Sequence, residues 1–102
     1  MSSKKKVLIT GASRGIGRSI LEAFSDENCF LIGTATSKVG LETIQNFLSG
    51  NKIEGKALIL DLSKDESINN FFITLKDNDL YPDVLINNAG VTRDNIFLRM
   101  KD

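Results

Sequence analysis

Val7-Leu8-Ile9-Thr10-Gly11-Ala12-Ser13-Arg14-Gly15-Ile16-Gly17 governs how the rest of the chain is read. Three apolar residues are too few for a helix, and they run straight into Thr10-Gly11, so Val7–Ile9 reads as a buried strand. Beyond the glycines, Ile16, Ile20 and Phe24 fall four apart, one apolar stripe of a helix from about Gly15 to Ser25. Strand, glycine-rich turn and helix, in that order, open a β-α-β unit.

Working outward, the same alternation recurs. Cys29-Phe30-Leu31-Ile32 reads as a second strand ending near Gly33-Thr34. Leu41, Ile44 and Leu48 mark a second helix, with Gly50 as its expected C-terminal cap. Ala57-Leu58-Ile59-Leu60 forms the third strand. Ser63 and Glu66 have the spacing of a capping box before a third helix, whose apolar face is Ile68, Phe71, Phe72 and Leu75. Pro82 disfavours helix at Tyr81, and Val84-Leu85-Ile86 is the fourth strand. Continuously apolar strands separated by helices predict an α/β fold, a Rossmann-like doubly wound parallel sheet, here a βαβαβαβ half.

Composition agrees and excludes several classes. The chain has 102 residues, one small domain's worth, with 41% hydrophobic and 25% charged residues. Thirteen basic residues balance thirteen acidic ones, without the basic excess that phosphate binding usually gives a nucleic-acid protein. Lys4, Lys5 and Lys6 read as a solvated strand entry. One cysteine, Cys29, excludes an intrachain disulfide, and the absence of histidine excludes a Cys/His zinc site and a His-based triad. Cys29 itself reads as core filler. No apolar run approaches membrane-spanning length and no signal-peptide pattern is seen. The expected setting is a reducing, soluble compartment, without nucleic acid or membrane as partner.

In open parallel sheets, ligands bind beyond the carboxyl ends of the strands, where strand order reverses. Those ends carry Thr10 to Gly17, then Thr34-Ala35-Thr36-Ser37, then Asp61-Leu62, then Asn87-Asn88-Ala89-Gly90. Gly11 suits a tight turn, Gly15 permits close backbone approach to a pyrophosphate, and Gly17 permits close helix–strand packing. The free N–H groups and positive dipole end of the following helix would face the phosphates. The spacing is GxxxGxG rather than GxGxxG. A P-loop would need lysine where Arg18 stands and glycine where Ala12 stands. The competing reading is a tight turn that holds no ligand.

No carboxylate follows the second strand, where an NAD site usually places one for the ribose 2′-hydroxyl. Hydroxyls and the cations Arg14 and Lys38 stand there instead, which favours NADP(H). Arg14 has an alternative as a solvated loop charge. Asp61 fits an acceptor for the adenine amino group, or the cap of its own turn. Asn88 and Gly90 fit a ribose against backbone, or an ordinary Asn/Gly turn.

Thr10-Gly11-Ala12-Ser13-Arg14-Gly15-Ile16-Gly17 and Asn87-Asn88-Ala89-Gly90, with Asp61 between them, resemble the short-chain dehydrogenase/reductase family. Within it, Ile32 to Ser37 and Val91 to Asp102 are similar to the bacterial 3-oxoacyl-[acyl-carrier-protein] reductases, N-terminal part only. The resemblance implies cofactor contacts at Gly11, Ala12, Ser13, Arg14, Gly15, Ile16 and Gly17. It further implies a 2′-phosphate contact at Thr36, adenine beside Asp61 and Leu62, and the ribose–nicotinamide half beside Asn88, Ala89 and Gly90. A loop from Val91 to Met100 would lie near the cofactor and move when it binds.

The activity implied is NADPH-dependent reduction of a carrier-bound 3-oxoacyl thioester in fatty-acid biosynthesis, by a cytoplasmic homotetramer. Another short-chain NADP(H) oxidoreductase is the enzymatic alternative. The family's Ser, Tyr and Lys, and its supporting Asn, have no counterpart here, so no catalytic residue is assigned; Tyr81 has no Lys four residues later. Residues 1–102 are therefore expected to be the N-terminal NADP(H)-binding portion of one such domain. Alone, they would be a non-catalytic dinucleotide-binding fragment with an open apolar edge at the fourth strand, weak NADPH binding and poor solubility. A signalling receiver domain shares the alternation but would need clustered acidic residues after an early strand, where Thr10-Gly11-Ala12 stands.

Overall fold

The structure is a computed structural model and describes residues 4–13, 15–24 and 28–88. Seven elements follow in order: β1 (Lys5–Ile9), α1 (Gly15–Ala23), β2 (Cys29–Ala35), α2 (Lys38–Gly50), β3 (Gly55–Ile59), α3 (Asp65–Asp77) and β4 (Val84–Ile86). The strands form one parallel sheet in the order β3-β2-β1-β4. Val7 of β1 pairs with Leu31 on one side and Val84 on the other, while Leu31 of β2 also pairs with Gly55 of β3. The expected fold class is thus present, a Rossmann-like half sheet.

Its order explains its layers. The chain moves outward from β1 to β2 to β3, then crosses back to place β4 on the far side of β1. Crossovers of one hand put helices on opposite faces when the direction reverses. Accordingly, Leu21 of α1 and Ile44 and Leu48 of α2 pack with Val7, Ile9, Leu31, Ala35 and Ala57. On the other face, Ile68, Phe71 and Leu75 of α3 pack with Leu8, Ile32, Leu60 and Leu62. Val7, Leu8 and Ile9 are all fully buried, as expected of a central strand covered on both faces. All three residues of β4 are only half-buried.

Several local expectations are corrected. β2 extends to Ala35, and β3 starts and stops earlier than expected. Ile16 is 73% exposed, whereas Gly17 and Leu21 are the buried positions of α1. The apolar stripe is therefore rotated by about one residue, because Gly17 must face the loop before it. Ile20 and Phe24 still flank the core; Ser25 lies outside the described residues.

The expected capping box does not form. The Ser63 hydroxyl donates to Asp61 Oδ1 at 2.6 Å, and the N-cap of α3 is Lys64, with no side-chain cap. Nor does Gly50 end α2 as a left-handed cap: it is the last helical residue, and Lys52 takes the left-handed conformation at φ +56°. The N–H of Ile53 reaches Leu48 O and that of Lys52 reaches Ser49 O, a Schellman closure built without glycine. At the end of α3, Leu80 and Asp79 bond Leu75 O and Lys76 O in the same pattern, with Asp79 at φ +54°.

Candidate functional site

Strand order reverses between β1 and β4, and the loop leaving β1 turns over that point. Gly11 has φ +63° and Gly15 has φ +64°, left-handed conformations that an L side chain resists. A Cβ on Gly15 would meet nothing within 4 Å, so the backbone there borders open space. Gly17 is different. A Cβ on it would overlap Gly11 O at 1.9 Å and stand 2.6 Å from Asn88 Nδ2. The first turn of α1 sits directly against its own loop, as expected from the glycine pattern.

The loop is bonded to both neighbouring strands. Thr10 N–H donates to Ile86 O at 3.1 Å, and Asn88 N–H donates to Thr10 Oγ1 at 2.8 Å. Thr10 Oγ1 in turn donates to Asn87 Oδ1, while Asn88 Nδ2 donates to Gly11 O, both at 3.2 Å. From β2, Thr34 Oγ1 accepts the Gly11 N–H at 3.2 Å and Thr34 O accepts the Ala12 N–H at 2.8 Å. The amides of Thr10, Gly11 and Ala12 are thereby satisfied within the protein. Ala12 is fully buried; Ser13, Gly15 and Ile16 are progressively more accessible.

The segment after β2 sorts its hydroxyls. Thr34 is 1% exposed and faces the loop, and Ser37 caps α2 by accepting the Gly40 N–H at 3.2 Å. Thr36, exposed, borders a cavity of about 410 Å³ with Asp61, Lys64, Ser67, Asn70 and Phe71. Lys64 was not an expected participant. It precedes α3 in sequence, and only the fold carries it to the Thr36 lip. Lys38, expected near that lip, is the first residue of α2 and does not line the cavity.

Asp61 also caps its own turn, as its local reading allows: Oδ1 accepts from the Ser63 hydroxyl at 2.6 Å and from the Ser63 N–H at 3.0 Å. These two bonds hold its carboxyl below the ordinary aspartate range, with the Lys64 ammonium adding a smaller pull. The Asp61 N–H meanwhile donates to Ser67 Oγ at 2.9 Å. The Leu62 side chain is buried in the core, so it is chiefly its backbone that faces this end of the sheet.

Arg18, in the first turns of α1, bonds Glu22 Oε2 at 3.1 Å and stacks its guanidinium 4.6 Å from the Phe47 ring centre. It ties α1 to α2. Arg14, Ala89, Gly90 and the stretch from Val91 to Met100 lie outside the described residues. Among the described residues no group of His, Cys, Asp and Glu has the arrangement of a metal site, and no helix is long and apolar enough to cross a membrane.

Comparison with known proteins agrees with this architecture. A family model described as short chain dehydrogenase matches residues 5–102. The chain is 48% identical over 98 residues to the 3-oxoacyl-[acyl-carrier-protein] reductase FabG of Haemophilus influenzae, covering 96% of the chain and 39% of that protein. It is 46% identical over 103 residues to the enzyme of the same name from Pseudomonas aeruginosa, covering all of the chain and 42% of that protein. For the Escherichia coli enzyme the identity is 44%, over 96% of the chain and 39% of the protein. The chain thus spans about two fifths of the length of the curated relatives it matches. The glycine loop at the reversal of strand order, locked to Asn88, and a family match running from β1 to the last residue make this chain a member of the short-chain dehydrogenase family.

Proposed function

We propose that the intact protein is an NADPH-dependent oxidoreductase that reduces 3-oxoacyl-[acyl-carrier-protein] to the 3-hydroxyacyl form in fatty-acid biosynthesis. The observation that carries the cofactor half is the glycine loop poised over the β1/β4 crevice. Its open backbone at Gly15 and the N-terminal end of α1, where a helix directs its first N–H groups, suit a pyrophosphate. At the adenosine end, the Thr36 hydroxyl and the Lys64 ammonium border one cavity, whose wall also carries Asp61 and Glu66, and no carboxylate follows β2 within Thr36-Ser37-Lys38. It is the hydroxyl of Thr36 directly after β2, where an acid would select a bare ribose, that favours a 2′-phosphate. The substrate half rests on the names of the relatives, all called 3-oxoacyl-[acyl-carrier-protein] reductase.

The residues that would hold the nucleotide are Gly11 to Gly17 at the pyrophosphate, Thr36 at the 2′-phosphate and Asp61 with Leu62 at adenine. Asn88, Ala89 and Gly90 would hold the nicotinamide ribose. When bound, the nicotinamide supplies hydride to the substrate carbonyl. The chain's own task is to fix the nucleotide's position. Asn88 holds Gly11, and Gly17 lets α1 close on both.

A proton donor is a separate matter. Tyr81, the one tyrosine, is 55% exposed and precedes β4, at the end of the sheet opposite the crevice. We therefore assign residues 1–102 the role of N-terminal cofactor-binding portion of one domain, without turnover by themselves. The intact enzyme is proposed to be a cytoplasmic homotetramer with carrier-bound acyl thioester as substrate.

The test is NADPH oxidation by the purified intact protein with acetoacetyl thioesters. Faster consumption of NADPH than of NADH is expected. Preference for NADH overturns the cofactor assignment, and indifference to those thioesters beside active turnover of another ketone overturns the substrate assignment. Turnover by a verified product of 11.2 kDa would overturn the division of labour.

A further inference from the structure

We infer that Thr34, at the end of β2, is a positioning residue that sets the conformation of the glycine loop and so governs binding of the pyrophosphate half of the cofactor. This rests on the cofactor reading above. Thr34 is 1% exposed, one of two buried polar residues among those described. Such a residue needs partners, and it finds them in the loop. Its hydroxyl oxygen accepts the Gly11 N–H at 3.2 Å, and its carbonyl accepts the Ala12 N–H at 2.8 Å. One residue from a neighbouring strand therefore satisfies two consecutive amides of the turn. With those two drawn towards β2, the chain turns at Gly11, where φ is +63°.

The surroundings of Thr34 are shaped for the same contact. At Gly33 a Cβ would come within 3.2 Å of Ala12 Cβ and 3.0 Å of Ile44 Cγ2. At Gly40 it would come within 2.7 Å of Ala35 Cβ and 3.3 Å of Ser13 Cβ. The β2–α2 junction is thus cut back where the loop presses on it. Thr36 follows Thr34 by two residues, so the strand end that holds the loop also carries the adenosine-end hydroxyl.

The two threonines should separate in experiment. The pyrophosphate is common to NADPH and NADH, whereas the 2′-phosphate belongs to NADPH alone. In the intact protein, Thr34→Val should weaken both nucleotides by the same factor, about threefold to tenfold, the usual worth of one neutral hydrogen bond. The loss should fall on KM for the nucleotide more than on kcat. Thr34→Ser should bind like the natural protein, and Thr36→Val should weaken NADPH alone.

Dissociation constants from fluorescence titration read the binding. Amide hydrogen exchange without nucleotide reads the loop directly, and Gly11 should exchange faster in Thr34→Val. If Thr34→Val fails to fold, Thr34→Ala and Thr34→Ser serve instead, and binding that Ser restores relative to Ala supports the hydroxyl's role. Equal binding by Thr34→Val and the natural protein overturns the inference, and so does equal weakness of Ser and Ala. Failure of the natural protein to bind either nucleotide overturns the cofactor reading, and the inference with it.

Discussion

The carboxyl ends of β1 and β3 are built on opposite plans. After β1, the loop is held from elsewhere: by Ile86, Asn87 and Asn88 more than seventy residues away, and by Thr34 from β2. After β3, the turn is held by its own neighbours. The Leu60 N–H still reaches Ala35 O of β2, but from Asp61 onward the bonds are local, to Ser63 and Ser67, none spanning more than six residues. The first plan makes the start of the loop, from Thr10 to Ala12, depend on contacts that exist only once the strands have paired. The second leaves a turn that can form or adjust by itself.

The largest expected effect breaks the first plan sterically. In Gly17→Ala the new methyl falls on a backbone oxygen, Gly11 O, rather than on the tip of a side chain that could move aside. Either α1 retreats or the loop does. Overpacking of this kind costs about 3 kcal/mol, measured as a fall in urea-unfolding free energy, and nucleotide binding should be lost with it. The contrasting variant is Ser63→Ala at the local end, which removes one exposed hydrogen bond to Asp61 and should cost no more than about 1 kcal/mol. Similar losses in both would erase the distinction.

Thr10→Val breaks the same plan chemically. Thr10 is fully buried, and its hydroxyl both accepts the Asn88 N–H and donates to Asn87 Oδ1. An isosteric methyl leaves that amide without its acceptor, which costs about 2 kcal/mol. The consequence should spread to Gly11, because Asn88 Nδ2 holds the Gly11 carbonyl. Amide exchange at Asn88 and Gly11 should rise together. A rise at Asn88 alone would show that the two ends of the network are not coupled.

The same contrast explains what the sequence makes legible. Strand and helix identities follow from patterns a few residues long, so the βαβαβαβ order and the parallel sheet could be read directly. The glycine loop was equally clear, because Gly11 and Gly17 serve a turn and a close approach that no other residue permits. Thr34 and Lys64 were not, since their roles arise from pairings made only when β2 lies beside β1 and α3 beside β3. Ambiguity also arises at short range, where two local solutions compete. Ser63 could have capped α3 with Glu66, yet it bonds Asp61 two residues earlier. Ile16 has the spacing of a core residue, but the rotation of α1 demanded by Gly17 turns it outward.

The helix ends offer a gain rather than a loss. Lys52 and Asp79 occupy the left-handed position that glycine usually fills after a helix. Lys52→Gly should stabilise the protein by about 0.5–1 kcal/mol, since the strain relieved exceeds the entropy glycine adds to the unfolded chain. Asp79→Gly should gain less, because aspartate tolerates this conformation better. Both closures are local, so neither change should alter nucleotide binding. A weakened affinity in either variant would mean that the local and long-range parts of the fold are not separable.

The smallest effect concerns the local end itself and is best read by titration. Asp61 is held below its ordinary value first by the Ser63 hydroxyl, then by the Ser63 N–H, with Lys64 contributing least among the groups that lower it. A carboxylate depressed in the folded state adds stability that is fully present above its unfolded value, about pH 4. That contribution disappears as pH falls through the lower, folded value. Asp61→Asn should therefore flatten the stability profile below about pH 4 and leave it nearly parallel to the natural protein's near neutrality. Following the Asp61 carboxyl carbon by NMR separates the causes: Ser63→Ala should return the titration towards the ordinary range, and Lys64→Gln should shift it less. A larger shift from Lys64→Gln would mean that the neighbouring charge, rather than the turn's own hydrogen bonds, sets the Asp61 titration, although this end would remain local because Lys64 stands only three residues from Asp61.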